Sequence, residues 1–268
     1  MADTPTSRIW APAGGARDAF WEVLRAISVG EIRERRRLTA AGIAKWMLEP
    51  LSYMLVYFLV LGGFFVQPQH AYPLFLLCAL VPWRYFTGVV LGSMSIVERN
   101  SAIISNRLFP REVLPLVLIM VEGATFLLAL SLFVPLLVYY GIFPGVALLW
   151  LPVAIAVLVA LCAGASYVSA VFGLRFPDVR PAAQNLIRLG FFASAGLVRP
   201  SDAPSESLEI VLQANPLTGV FESFRAIFLR ADAPQAADLL YPLAIAILLF
   251  VIGVPLYRRA QASFAKLI

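Results

Sequence analysis

The sequence predicts an all-α integral membrane protein. It reads as six transmembrane helices, an N-terminal amphipathic interfacial helix, and a short amphipathic or re-entrant helical hairpin between helices five and six. Three observations carry this. Of 268 residues, 60% are hydrophobic and 14% charged, against about 25% charged in soluble domains. Apolar runs long enough for the roughly 20 helical residues that cross about 30 Å of hydrocarbon recur along the chain. Between them, positive charge collects in alternate connections.

Residues 1–16 are polar and read as a flexible N-terminus without the apolar stretch of a cleavable signal peptide, so the first span is expected to direct insertion. Over 17–38 the pattern is amphipathic: at 100° per residue Phe20, Val23, Leu24 and Ile27 share one side, opposite Asp18, Glu22 and Arg25. A helix lying along the inner leaflet fits, and the arginines of ERRRL at 34–38 either meet anionic headgroups or anchor topology. A single membrane-spanning domain follows over 39–260, with spans at about 40–66, 73–97, 113–140, 146–173, 184–199 and 239–257, and a tail at 261–268. The fifth span is barely long enough to cross. Residues 200–238 show apolar positions at helical spacing on both sides of Asn215-Pro216, which predicts two short amphipathic helices broken there.

Lys and Arg in short loops stay cytoplasmic. The N-terminal region, the connection at 98–112, the connection after span four and the tail together hold seventeen of the 21 Lys and Arg; Arg199, Arg225 and Arg230 fall on the other side and Arg84 within span two. Both termini are therefore expected in the cytoplasm. The formal charge of +5 is thus a topology signal, and no nucleic-acid partner is expected. A single histidine, His70, and two cysteines inside apolar runs, Cys78 and Cys162, offer no metal-ligand spacing. No glycine is followed by lysine, so the chain carries no P-loop and no catalytic, cofactor or metal residues are assigned.

In SNRLFPREVLP, residues 105–115, Pro110 suits the first turn of a helix and Glu112 the positive end of its dipole, so the stretch begins span three. The preceding residues read as a short surface helix. FPREVLP, with VPWRYF at 81–86, LRFPDVRP at 174–181 and ANPLTGVFESFR at 214–225, resembles the membrane subunit of type-2 ABC exporters, in the branch that exports lipid-linked polysaccharides such as O-antigen, capsule and teichoic acid. The motifs keep the family's order and spacing over about residues 20–260.

The resemblance implies a six-span permease that forms a homodimer in the bacterial inner membrane and pairs with two copies of a separate ATPase, which would bind the ATP and Mg. It implies a coupling helix before FPRE, so Glu98, Arg99, Asn100, Arg107, Phe109, Pro110, Arg111 and Glu112 are carried over as ATPase-coupling residues. Asp178 falls where the family has an arginine-aspartate pair, with Pro177 here replacing the arginine. Asn215, Pro216, Glu222 and Arg225 are carried over as an outer gate; Glu222 and Arg225, three apart, read as a surface ion pair, with a gate contact as the alternative.

Arg84 and Glu122 each lie roughly 16–18 Å inside their spans, near the midplane, and are expected to pair. A lone charge there costs about 3 kcal/mol or more. The family usually has a neutral polar residue at the position of Arg84, which either lines the conduit and meets phosphate or acidic sugars, or is structural only. Trp46, Tyr53 and Tyr57 share one helical face, and Trp83 and Phe86 are three apart; with Arg84 and Glu122 they are the candidate translocation pathway. Lys45 and Glu49 read as an i,i+4 pair. The rival functions are a type-2 exporter of drugs or small lipids, a membrane-embedded transferase acting on lipid-linked sugars, and an ion-coupled transporter.

Overall fold

The computed structural model describes residues 16–37, 48–59, 71–100 and 111–267, with side chains at 20–33, 48–59, 71–100 and 111–261. The regular elements among these are all helical. Helix α1 is Ala16–Arg37, α2 Leu48–Leu59, α3 Tyr72–Arg99, α4 Val113–Leu130 and α5 Phe133–Tyr140. Then come α6 Leu151–Arg175, α7 Arg180–Phe192, α8 Glu206–Ala214, α9 Pro216–Arg225 and α10 Ala236–Leu267.

Four stretches among the described residues are long and apolar enough to cross a membrane: Tyr72–Arg99, Val113–Tyr140, Gly145–Arg175 and Ala236–Gln261. The chain is a multi-pass membrane protein. The expected first span is described only over α2. The expected fifth span, 184–199, is helical as α7 for 13 residues and then turns; at 1.5 Å per residue α7 is about 20 Å long, short of a full crossing.

α3 is the central post. Pro73 sits in its first turn, where the missing N–H costs nothing, and every residue from Leu74 to Pro82 is buried. Its other end lies against α6, where Gly173 leaves room for the backbone of Met94. α6 and α10 approach closely at Gly164 and Gly253, the small-residue packing that replaces hydrophobic drive between helices in lipid. α1 lays Val23 and Leu24 against Val113, Val117 and Val121 of α4, with Phe20 and Ile27 at the edge of that cluster.

The segment 200–238 forms the two helices broken at Asn215-Pro216, α8 and α9. Ser205 caps α8 by accepting the amide of Leu208, and Asn215 caps α9 by accepting that of Leu217. α9 does not lie on the surface. Val220, Phe221, Phe224 and Ile227 are enclosed with Leu74, Phe75, Phe126 and Phe133, so α9 is driven into the bundle between α3, α6 and α10, while α8 stays largely exposed with only Leu212 buried.

Candidate functional site

α2, α3 and α7 wall a groove of about 750 Å³. α2 supplies Glu49, Tyr53 and Tyr57, which recur every four residues and so form one stripe. α3 supplies Trp83, Arg84 and Thr87; α7 supplies Gln184, Arg188, Phe191 and Phe192. The three helices meet through aromatic rings: Phe191 stacks on Tyr57 with centroids 5.7 Å apart and leans on Trp83 at 5.2 Å.

Arg84 sits midway along α3, and its guanidinium serves two carboxylates. Nε lies 3.1 Å from Glu49 Oε2 on α2, and Nη1 lies 3.8 Å from Glu122 Oε2 on α4. Arg84 and Glu122 are thus brought together, and the shorter bridge runs to Glu49. The Glu122 side chain is 8% exposed, and a Cβ on Gly88 would come within 2.8 Å of its carboxylate. Glycine there is what lets the cluster form.

Of the pathway candidates, Tyr53, Tyr57, Trp83 and Arg84 face this groove. Glu122 lines a small recess behind it, and Phe86 packs against the core instead. Trp46 lies outside the described residues, as do Lys45, Arg107, Phe109 and Pro110. Sequence reasoning missed Glu49, Gln184 and Arg188. A signal existed for each: Glu49 precedes Tyr53 and Tyr57 at spacing four, and 184, 188, 191 and 192 share a face of α7.

At the end of the bundle that holds the start of α4, Arg111 and Glu112 are tied to the last helix. Arg258 Nε donates to Glu112 Oε1 at 2.9 Å, Tyr257 Oη to the Arg111 carbonyl at 2.9 Å, and Arg111 Nη1 to the Gln261 carbonyl at 3.0 Å. Tyr167 of α6 donates to the Glu112 carbonyl at 3.2 Å. Glu98 is bridged by Arg180 at 3.0 Å. Asn100 is buried and donates to the Ile96 carbonyl, so its side chain finishes α3. Arg99 and Asp178 are exposed.

At the opposite end the Glu222–Arg225 pair exists but is not a surface pair. Arg225 is 0% exposed: Nη1 donates to Glu222 Oε1 at 2.9 Å, Nη2 to the Gly196 carbonyl at 3.1 Å, and Cζ lies 3.5 Å from the centroid of the Phe75 ring. The pattern of polar positions around an apolar stripe suggested a surface helix, and the other apolar faces that cover Arg225 come from α3 and the 193–197 turn, far away in sequence. Arg230 holds the second Glu222 oxygen at 3.2 Å. Burial raises the Glu222 carboxyl, but the Arg225 and Arg230 guanidiniums outweigh it and hold its pKa below the ordinary value. Asn215 donates to the Ala193 carbonyl at 3.4 Å, and Thr218 donates to the Leu212 carbonyl while accepting from the Ala195 amide. Pro216 opens α9. The gate candidates are therefore one enclosed knot.

No group of three or more His, Cys, Asp and Glu side chains converges among the described residues. Both cysteines are buried and unbridged.

No protein-family model matches the chain. It is 27% identical over 237 residues to the O-antigen export system permease protein RfbA of Myxococcus xanthus, covering 88% of this chain and 91% of that one. To the protein of the same description from Klebsiella pneumoniae it is 24% identical over 251 residues, 93% and 96% of the two chains. To the polysialic acid transport protein KpsM of Escherichia coli it is 24% identical over 248 residues, 90% and 94% of the two chains. Spread over about nine-tenths of the chain, these relatives bear out the resemblance to the permease of type-2 ABC polysaccharide exporters that FPREVLP and NPLT carry.

Proposed function

We propose that this chain is the transmembrane subunit of an ATP-driven exporter that moves a lipid-linked polysaccharide from the cytoplasmic leaflet of the bacterial inner membrane outward. It works as a homodimer with two copies of a separate ATPase, and both termini lie in the cytoplasm. ATP and Mg are held by that ATPase; the chain itself contributes no hydrolytic group. The observation that carries the reading is the groove between α2, α3 and α7, considered with relatives named for O-antigen and polysialic acid export. Its flat rings, Tyr53, Tyr57, Trp83, Phe191 and Phe192, offer stacking faces for sugar rings, and Gln184, Thr87 and the tyrosine hydroxyls both donate and accept hydrogen bonds, as sugar hydroxyls require. Drugs or small lipids would have less use for that polar lining.

Force from the ATPases enters at residues 98–112. Arg111 and Glu112 lie at the start of α4, and Glu122, ten residues further along the same helix, meets Arg84 at the groove. A shift of α4 is thereby felt at the groove wall and, through Arg258 and Tyr257, by α10.

The test is reconstitution with its partner ATPase in proteoliposomes loaded with a lipid-linked glycan. Outward transfer that needs ATP, and falls at least tenfold in Tyr53→Ala/Trp83→Ala with the complex intact, is the expected result. Failure to associate with any ATPase, or transfer without ATP, overturns the reading.

A further inference from the structure

The groove wall holds three charged side chains, Glu49, Arg84 and Arg188. Glu49 and Arg84 meet at 3.1 Å between α2 and α3. Arg188, on α7, is exposed, lines the groove and has no ion-pair partner among the described residues. The acidic residues whose side chains lie outside the description are Asp3, Asp18 and Glu34, all N-terminal to α2, and the stretches 38–47, 60–70 and 101–110 contain none. Arg188 lies about 12 Å along α7 from Arg180, which on the orientation proposed above is the cytoplasmic half of the groove. An arginine left without a counter-charge at membrane depth marks a ligand path. Gln184, four residues earlier and so on the same face, adds an amide donor to the same wall. Phe191, three residues further on, begins the ring cluster with Tyr57 and Trp83. A planar guanidinium beside an amide donor suits the oxygens of a phosphate, and rings one turn away suit the sugar that the phosphate carries.

We infer that Arg188, with Gln184, binds the phosphate that joins lipid to glycan and so delivers the first sugar to the rings of Tyr57, Trp83 and Phe191. The phosphate contact that the sequence offers to Arg84 falls instead to Arg188. The chemistry recognised is a lipid phosphate, which both the cargo's own link and the headgroups of the surrounding bilayer carry, and the experiment separates the two. The inference rests on the groove being the glycan path, and deepens that reading by naming the residues that hold the lipid link.

The probes are a polyprenyl diphosphate carrying one N-acetylglucosamine, and the same polyprenol joined to that sugar by a glycosidic bond without phosphate. Binding is measured on the permease–ATPase complex in phosphatidylcholine nanodiscs. Hydrogen bonds to an ionised group are worth about tenfold or more in affinity, so the diphosphate form is expected to bind at least about tenfold tighter, and Arg188→Gln to shrink that ratio to within about threefold. Arg188→Lys, which keeps the charge without the planar fork, is expected to fall between. The ratio is expected to persist when about a third of the phosphatidylcholine is replaced by phosphatidylglycerol; its loss there assigns Arg188 to a bilayer headgroup and overturns the inference. Equal binding of the two probes by the wild type, a ratio that Arg188→Gln leaves unchanged, or loss of the folded complex in that variant also overturns it and leaves the groove as glycan path. Binding of neither probe, or binding of the diphosphate form that Tyr53→Ala/Trp83→Ala does not weaken, overturns the groove reading and the inference with it.

Discussion

Replacing Arg225 by methionine should destabilise the protein more than any other single loss of charge among the described residues. Methionine keeps much of the stem's volume, so the change isolates the guanidinium. Removing one partner of a buried ion pair costs about 3–5 kcal/mol, because the other charge is left without compensation. Arg230 still holds the second oxygen of Glu222, which places the loss near the lower end, about 3 kcal/mol. The contact of Arg225 with the Phe75 ring at 3.5 Å and the bond to the Gly196 carbonyl are lost as well, and keep it from falling further. At about 2–4 °C per kcal/mol for a chain of roughly this size, the midpoint of thermal unfolding in detergent, followed by tryptophan fluorescence, should drop by about 6–12 °C. Arg225→Lys should fall between, retaining charge but not the planar fork. Because the Glu222 carboxyl is held below its ordinary value, the pair's contribution is complete above the unfolded carboxylate value of about 4.3 and is lost as pH falls through the lower folded one. The gap between wild type and variant should therefore close only in strong acid. A drop under about 2 °C at neutral pH, or a gap that closes already near pH 6, would refute the buried-pair argument.

Gly88→Ala should push the Glu122 carboxylate away from Arg84 and lower export severalfold with little change in expression, measured as surface glycan per cell. Gly173→Val, where any side chain meets the Met94 backbone, should abolish accumulation of the folded protein on size-exclusion chromatography. The Glu112–Arg258 bridge is solvent-exposed, so Arg258→Glu should change stability by less than about 1 kcal/mol yet reduce export, and Glu112→Arg/Arg258→Glu should restore it. Arg111→Glu should leave membrane insertion intact and weaken ATPase association in co-purification; unchanged association would return this stretch to a topology signal.

Span positions two to four were legible because apolar run length is a one-dimensional property: Tyr72–Arg99, Val113–Tyr140 and Gly145–Arg175 fall within two residues of the expected 73–97, 113–140 and 146–173. The break between α8 and α9 was legible because Asn-Pro is a local signal, with a capping amide acceptor followed by a residue fixed for a helix's first turn. The fate of α9 was not. An amphipathic helix reports that one face needs an apolar partner, and does not report whether the polar face will meet water or other protein. For α9 the polar face is met by the Gly196 carbonyl and the Phe75 ring, both distant in sequence, so Arg225 read as exposed although nothing of it is.

The same limit explains Glu49. Spacing alone offers Lys45 as a partner four residues away, and such pairs are worth about 0.2–0.5 kcal/mol on an isolated helix. A midplane arginine on the next helix is a far stronger claimant, because leaving it alone costs about 3 kcal/mol or more. Lys45 lies outside the described residues, and Arg84 reaches Glu49 at 3.1 Å, a partner that spacing along one helix does not offer. An arginine read alone in a span suggests an anion to be bound, whereas the same arginine between Glu49 and Glu122 ties α2 to α3 and α4 and so helps to hold the groove wall together.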